Sequence, residues 1–122
     1  MRHCLALDLV DDADAIARYE AWHAPGAVPA AVTRSIRDAD IVDMEIWRVH
    51  ARLFMIMETG PEFSPKAKAA ADMASEDIQA WERLMWEFQR PLPQAAAGEK
   101  WVAMRRIYAL SEQPHEVASG PA

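Results

Sequence analysis

Four stretches of the chain carry the hydrophobic spacing of β-strands. Leu5, Leu7 and Leu9 occupy every second position near the N-terminus, which places them on one face of an extended segment. A second stretch alternates in the same way, and a third is almost wholly apolar, as expected of a buried strand. The predicted strands are residues 3–10, 41–47, 53–57 and 101–110, with a hairpin turn at 48–52.

A first amphipathic helix is predicted between the first two strands. Ile16, Tyr19 and His23 lie at positions i, i+3 and i+7, so they share one helix face. Aspartates before Ile16 provide the N-cap and the acidic first turn, and the Ala-Pro-Gly sequence at 24–26 ends the helix. Pro29 is suited to the first turn of a shorter second helix.

A long helix is predicted after the central hairpin. Gly-Pro and Ser-Pro pairs punctuate the segment before it, and Ser75 with two acidic residues opens it. Its apolar positions recur at helical spacing and are Ile78, Trp81, Met85 and Phe88. Pro91 and Pro93 end the helix. The predicted order is β-α-(α)-β-β-α-β. This order is typical of the α+β ferredoxin-like fold (βαββαβ), a four-stranded antiparallel sheet with helices on one face.

Two helices on one side leave the other face of such a sheet uncovered. We expect that face to carry residues such as Leu and Met and to be buried by a second copy, which predicts a homodimer of the dimeric α/β barrel type. Residues 1–110 form the predicted domain, and residues 111–122 are predicted to be a frayed C-terminal tail.

Length, charge and cysteine content exclude several classes of protein. The 122 residues suit a single domain, and the net charge of −6 with no basic stripe argues against nucleic acid as a partner. One cysteine cannot form an intrachain disulfide. Neither a signal-peptide pattern nor an apolar run of about 20 residues is present, so we expect a cytoplasmic protein that does not enter the membrane.

The pair Tyr19 and His23 is the first candidate for chemistry. They are four residues apart on the predicted helix and therefore adjacent on its surface. Histidine titrates near neutral pH and can give or take a proton, while a neighbouring phenol can orient a sugar oxygen. A structural alternative is a capping histidine beside a core tyrosine.

Carboxylates on the second strand and five tryptophans are further candidates. Asp43 and Glu45 alternate onto the same strand face, where they are either solvated or face a cavity as hydroxyl ligands or the general base. Trp81 is placed either in the core or against a sugar ring. No glycine-rich phosphate loop or metal-ligand spacing occurs in the sequence. Two kinds of function therefore remain, which are acid–base chemistry without a metal or cofactor and binding without catalysis.

Taken together, the sequence resembles the L-rhamnose mutarotase family over about residues 1–110. The matching features include the opening strand, the end of the first helix, the central hairpin, the Trp81 helix and the closing segment. Three further stretches look more like the L-fucose branch of that family. After the opening strand, the family segments are residues 18–23, 52–54, 81–85 and 106–110. The segments that resemble the L-fucose branch are residues 43–47, 86–93 and 98–101.

The resemblance implies a ferredoxin-like dimer that uses neither metal nor cofactor. It also implies that His23 is the proton donor and that Tyr19 touches the sugar. Rhamnose enzymes carry two consecutive tryptophans on the second long helix, but here Trp81 is followed by Glu82. They also carry a tyrosine on the second strand, where this chain has Val42 or Asp43. Both departures favour L-fucose over L-rhamnose as the substrate.

The predicted function is therefore that of a mutarotase that interconverts the α and β anomers of a 6-deoxy-L-hexose by acid–base ring opening. His23 is the predicted acid to the ring or anomeric oxygen, Tyr19 and Trp81 contact the substrate, and Asp43 or Glu45 is the base or a hydroxyl ligand. Two alternatives are a non-catalytic ferredoxin-like dimer that binds a small ligand or regulates a partner, and a cofactor-free monooxygenase of the dimeric α/β-barrel type.

Overall fold

A computed structural model describes residues 1–116 of the chain, so the predicted tail lies partly outside the described residues, from 117 to 122. It contains five strands, four α-helices and a short C-terminal 3₁₀ helix. In chain order these are β1 (Arg2–Leu9), α1 (Ala13–Trp22), α2 (Ala30–Asp38), β2 (Ile41–Val49), β3 (Arg52–Thr59), α3 (Pro65–Met73), α4 (Glu76–Trp86), β4 (Gln89–Arg90), β5 (Val102–Ala103) and the 3₁₀ helix Leu110–Glu112.

The strands form one antiparallel sheet in the order β2-β3-β1, with the fourth position shared by β4 and β5. Leu7 of β1 lies opposite Leu53 of β3, and Asp8 lies opposite Arg90 of β4. On the same edge of β1, Ala6 pairs with Val102 of β5. The order confirms the predicted ferredoxin-like fold. The fourth strand is, however, two short pieces separated by the loop 91–101.

The core lies between the sheet and the helices. Leu9 and Leu53 come from the sheet, Tyr19 from α1, Met85 from α4, and Phe88 from the turn after α4. All five are at least 95% buried. Strand register therefore puts the odd-numbered residues of β1 and β3 on the helix side. This packing fixes α1 and α4 next to each other over the sheet.

The opposite sheet face carries both apolar and charged side chains, and its apolar residues differ from those predicted. Leucines of β1 and methionines of β2 and β3 lie on the helix side. Met104, which follows β5 opposite Cys4, is 47% exposed on the uncovered face. Register also places Trp47, Val49, Phe54 and Ile56 there. The expectation was wrong for the leucines of β1 because the strand parity was assigned without knowing which face the helices cover.

The last predicted strand, residues 101–110, is much shorter than expected. Only Val102 and Ala103 are in β5, and the Met104 amide donates one further bond to the Cys4 carbonyl at 2.7 Å. Antiparallel pairing with β1 ends near residue 106 at the latest, because β1 begins at Arg2. The rest of the segment up to residue 110 has no neighbouring strand to pair with among residues 1–116.

Helix starts follow the predicted caps, with one helix not predicted. The Asp12 side chain accepts from the Ala15 amide at 2.8 Å, and the Ser75 hydroxyl accepts from the Ile78 amide at 3.3 Å. Helix α3 was not predicted, although Ser64 caps it and Pro65 occupies its first turn. The Ser-Pro pair is a helix start as well as a turn signal. Among residues 1–116, no helix is long and apolar enough to cross a membrane.

Candidate functional site

The C-terminal end of α1 presents Tyr19 and His23 together. His23 is the residue that follows the last helical position, and its amide donates to the Glu20 carbonyl at 3.0 Å. Its Nδ1 lies 2.8 Å from the carbonyl oxygen of Tyr19. Because a carbonyl oxygen accepts and cannot donate, Nδ1 carries the proton and Nε2 of the neutral ring keeps a free lone pair. The two rings are stacked with centroids 4.3 Å apart.

Tyr19 is buried with its hydroxyl in contact with one polar side chain. The residue is 3% exposed, and the Phe88 ring meets its ring edge-on at 5.9 Å. Gln89 Nε2 donates to the phenolic oxygen at 3.0 Å. Burial raises the pKa of Tyr19 to about 12, although the hydrogen bond from Gln89 opposes this rise. The phenol is therefore neutral at physiological pH and is a hydrogen-bond donor.

Burial shifts the pKa of His23 in the opposite direction. Removal from water disfavours the imidazolium and lowers the pKa below its ordinary value of 6.5, while the hydrogen bond to the Tyr19 carbonyl raises it by less. The ring is consequently neutral at pH 7. With Nδ1–H committed to the carbonyl, Nε2 is available as a proton acceptor.

Trp81 of α4 completes the aromatic wall. Its indole meets the His23 ring edge-on at 5.6 Å and the Trp22 ring at 6.1 Å. These contacts depend on the packing of α4 beside α1, which the Ser75 cap and the buried Ile78 and Met85 fix in place. Tyr19, His23 and Trp81, three of the five residues predicted from the sequence, thus form one aromatic cluster.

These residues line a cavity of about 430 Å³ between the helices and the sheet. This volume lies within the range of about 300–1,000 Å³ that small-molecule sites occupy. The floor is apolar and comes from the sheet, whereas charged side chains stand around the margin. The lining includes Met44, Ile46 and Met55 below, with Arg37, Asp43, Lys68, Asp72, Glu82 and Lys100 as the charged members.

The charges that line the cavity balance. Lys68 donates to Asp72 at 2.6 Å within α3, and Lys100 forms an ion pair with Glu82 across the loop 91–101 and α4. The Lys100 ammonium also lies 4.8 Å from the centre of the Trp86 ring. Three acidic and three basic residues therefore leave no net formal charge on the lining. A neutral, polyhydroxylated ligand fits this lining better than an anion or a cation.

The two candidate carboxylates are in different places. Asp43 follows a register shift between Ile41 and Asp43, and it lines the cavity. Glu45 lies opposite Ile56, on the sheet face that the helices do not cover, and it is exposed. Asp43 is also exposed, and its pairing with Glu58 puts it on the same strand face as Glu45. Of the two carboxylates, Asp43 lines the cavity with Tyr19, His23 and Trp81, and Glu45 does not.

Sequence reasoning did not identify Gln89, Lys100 or the Lys68–Asp72 pair as parts of the site. Gln89 belongs to a two-residue strand, which is too short to produce a periodic signal. Lys68 and Asp72 belong to the helix that was not predicted, although their spacing of four residues is that of a helical ion pair. Within residues 1–116, no group of three or more His, Cys, Asp or Glu side chains is arranged to hold a metal ion.

Comparison with known proteins identifies relatives along nearly the whole chain. A family model described as L-rhamnose mutarotase matches residues 2–110. An L-fucose mutarotase of Xanthomonas campestris is 51% identical over 111 residues, which is 91% of this chain and 89% of that protein. A UPF0734 protein of Dictyostelium discoideum is 30% identical over 109 residues, 86% of each chain.

A solved structure shares the fold at low sequence identity. The crystal structure of an L-rhamnose mutarotase from Formosa agariphila is similar with a TM-score of 0.65 and 11% identity, and the match covers 90% of this chain and 98% of that one. At this identity the similarity supports the fold, which agrees with the sheet order described above.

Proposed function

The chain belongs to the L-rhamnose mutarotase family and is a sugar mutarotase, a carbohydrate isomerase, and we propose that its substrate is a 6-deoxy-L-hexose, with L-fucose favoured over L-rhamnose. The observation that carries the proposal is the placement of Tyr19 and His23 side by side on the wall of a charge-balanced cavity large enough for one pyranose. A non-catalytic role and a monooxygenase, the two alternatives from the sequence, are not supported by the family.

His23 is proposed to exchange a proton with the anomeric oxygen. Because Nδ1–H is bound to the Tyr19 carbonyl and the ring is neutral, Nε2 accepts the proton of the anomeric hydroxyl as the ring opens. The imidazolium then returns this proton to the aldehyde oxygen when the ring recloses. By this route His23 is the base in ring opening and the acid in reclosure, so the acid predicted from the sequence works in the second half of the cycle.

Tyr19 is proposed to donate its phenolic proton to the ring oxygen. As the bond between the anomeric carbon and the ring oxygen breaks, that oxygen becomes an alkoxide, which is a stronger base than the phenolate of a phenol with a pKa of about 12. Transfer of the phenolic proton to the ring oxygen is therefore downhill. Asp43 is proposed to accept a hydrogen bond from a sugar hydroxyl, and Trp81 to pack against a carbon-bound face of the ring.

The choice of sugar rests on two observations. The relative with 51% identity is named an L-fucose mutarotase. In addition, Glu82 stands where rhamnose enzymes carry a second tryptophan, and here it forms an ion pair with Lys100 at the cavity margin. A polar pair at this position favours a substrate that presents hydroxyl groups there.

A homodimer is part of the proposal. The uncovered sheet face exposes Trp47 and Val49 by 60% and 62%, and the C-terminal segment exposes Ile107 by 91%. Apolar surface of this kind marks protein interfaces in soluble proteins. A second copy that covers this face explains its composition. A cytoplasmic location and the absence of nucleic-acid binding stay predictions from the sequence.

Anomer exchange measured by saturation-transfer NMR tests the function. The protein is expected to accelerate exchange of L-fucose more than that of L-rhamnose, and exchange of D-galactose and D-ribose least. His23→Ala should reduce the exchange by about 10²-fold or more, the range of general acid–base catalysis. His115→Ala, at an exposed histidine outside the cavity, is the matched control. Equal exchange with and without the protein for every sugar would refute the proposal.

A further inference from the structure

Gln89 is a buried polar residue whose hydrogen bonding is incomplete. Its side chain lines the cavity, yet the residue is 3% exposed, and Leu9 of β1 is its strand partner. Nε2 donates to the Tyr19 hydroxyl at 3.0 Å. The other amide atom, Oε1, is buried and has no hydrogen-bond partner among residues 1–116.

Packing alone does not account for a glutamine at this position. A buried amide oxygen without a partner costs about 1–3 kcal/mol, whereas an apolar side chain of similar length would avoid that cost. The one hydrogen bond that the Gln89 side chain makes within the described residues goes to the Tyr19 hydroxyl. A glutamine that lowers stability and contacts one functional group is typical of a side chain kept for function.

We infer that Gln89 is a positioning residue, which holds the Tyr19 hydroxyl so that its proton is directed at the ring oxygen of the sugar. The inference rests on the proposed mutarotase function. A phenolic hydroxyl has one proton to donate and lone pairs that accept. Because the Gln89 Nε2–H occupies an acceptor position and cannot itself accept, the Tyr19 proton must point away from that nitrogen.

The same bond assists the proton transfer. In ring opening, the O–H bond of Tyr19 breaks and its proton moves to the ring oxygen, which takes the electron pair of the breaking bond to the anomeric carbon. His23 accepts the proton of the anomeric hydroxyl, whose electron pair forms the aldehyde C=O bond. The Tyr19 phenolate is then stabilised by the Gln89 Nε2–H, and every transfer reverses on reclosure. This agrees with the direction in which Gln89 acts on the pKa of Tyr19, which is downward.

Substitution of Gln89 tests the inference. Gln89→Met removes the donor and keeps the length of the side chain, so kcat for L-fucose should fall about ten-fold, the rate equivalent of one hydrogen bond, while KM changes little. Gln89→Glu should cost more, because a carboxylate would accept the Tyr19 proton instead of directing it at the sugar. The melting temperature of Gln89→Met should be unchanged or higher, since the unpaired Oε1 is lost with the donor.

A double-mutant cycle with Tyr19→Phe shows whether Gln89 acts through the phenol. In the Tyr19→Phe background, Gln89→Met should change kcat by less than about two-fold, since the two residues act as one unit. Gln79→Met is the matched control, because Gln79 also donates one bond, to the Asp72 carbonyl at 2.9 Å, and does not line the cavity. It should leave kcat unchanged.

Two outcomes would overturn the inference while the function stands. One is an active wild type in which Gln89→Met leaves kcat unchanged. The other is a ten-fold loss that persists in the Tyr19→Phe background, which would give Gln89 a role independent of the phenol. Inactivity of the wild type on every sugar would instead overturn the proposed function and this inference with it.

Discussion

Tyr19 holds His23 through its backbone, because the Tyr19 carbonyl oxygen accepts the hydrogen bond from Nδ1 at 2.8 Å. The tautomer of the imidazole is therefore fixed by the helix end itself and does not depend on the side chain at position 19. The phenol makes its own contacts, to the His23 ring and to Gln89. Proton acceptance by His23 and proton donation by Tyr19 can thus be separated by substitution.

Tyr19→Phe should lower kcat for anomer exchange by about 10²-fold, the lower end of the range for general acid–base catalysis, because the ring oxygen loses its proton donor. The stacked contact with His23 and the backbone bond to Nδ1 both remain. The ¹⁵N chemical shifts of the His23 ring, measured by NMR, should therefore report the same tautomer as in the wild type. A variant with full activity would remove Tyr19 from the mechanism.

The pH dependence of exchange should follow His23. Because the neutral ring is the base, kcat/KM should be constant above pH 6.5 and fall as the pH drops through the lowered pKa of His23. His23→Gln should remove this inflection from the residual activity. An exchange rate that is highest at acidic pH and declines towards neutrality would show that the imidazolium starts the reaction.

The free energy of unfolding, like the exchange rate, should decrease as the pH falls. Since the pKa of His23 is lower in the folded than in the unfolded protein, the unfolded chain binds the proton more readily. The contribution of His23 to the free energy of unfolding is therefore complete above pH 6.5 and is lost as the pH falls through the folded-state pKa. Urea titrations of the wild type and His23→Gln between pH 5 and 8 measure this difference.

The parts of the site that lie within one element could be predicted from the sequence, and those that depend on register could not. Tyr19 and His23 are neighbours on any helix because they are four residues apart. Gln89 reaches Tyr19 only through the pairing of the two-residue strand β4 with β1, which has no sequence pattern. The apolar alternation after Ala103 predicted a strand because alternation does not reveal whether a partner strand is within reach.

Asp43 and Glu45 form a matched pair for testing which carboxylate serves the substrate. Asp43 lines the cavity, and Glu45, two residues further along the same strand, does not. Asp43→Asn should raise KM for L-fucose about ten-fold or more, because a hydrogen bond to a charged group is worth about 1.5–3 kcal/mol. Glu45→Gln should leave both kcat and KM unchanged. The reverse pattern would place the sugar on the uncovered face and contradict the proposed site.

The uncovered sheet face provides the last prediction, which concerns the assembly. Trp47 of the edge strand β2 is 60% exposed on that face, and a second copy would bury its indole. Trp47→Glu places a carboxylate in the proposed interface, and burying it there without a counter-charge is costly. The variant should therefore elute as a monomer. Met73→Glu is the control, because Met73 is 73% exposed at the end of α3, away from the uncovered face.

Size-exclusion chromatography with light scattering measures this effect. The wild type and Met73→Glu should both have twice the mass of one chain at micromolar concentration, and Trp47→Glu should have the mass of one. Because Trp47 lies outside the hydrophobic core, circular dichroism should show that its variant remains folded. A wild type that is monomeric under these conditions would contradict the homodimer, and a dimeric Trp47→Glu would move the interface away from this face.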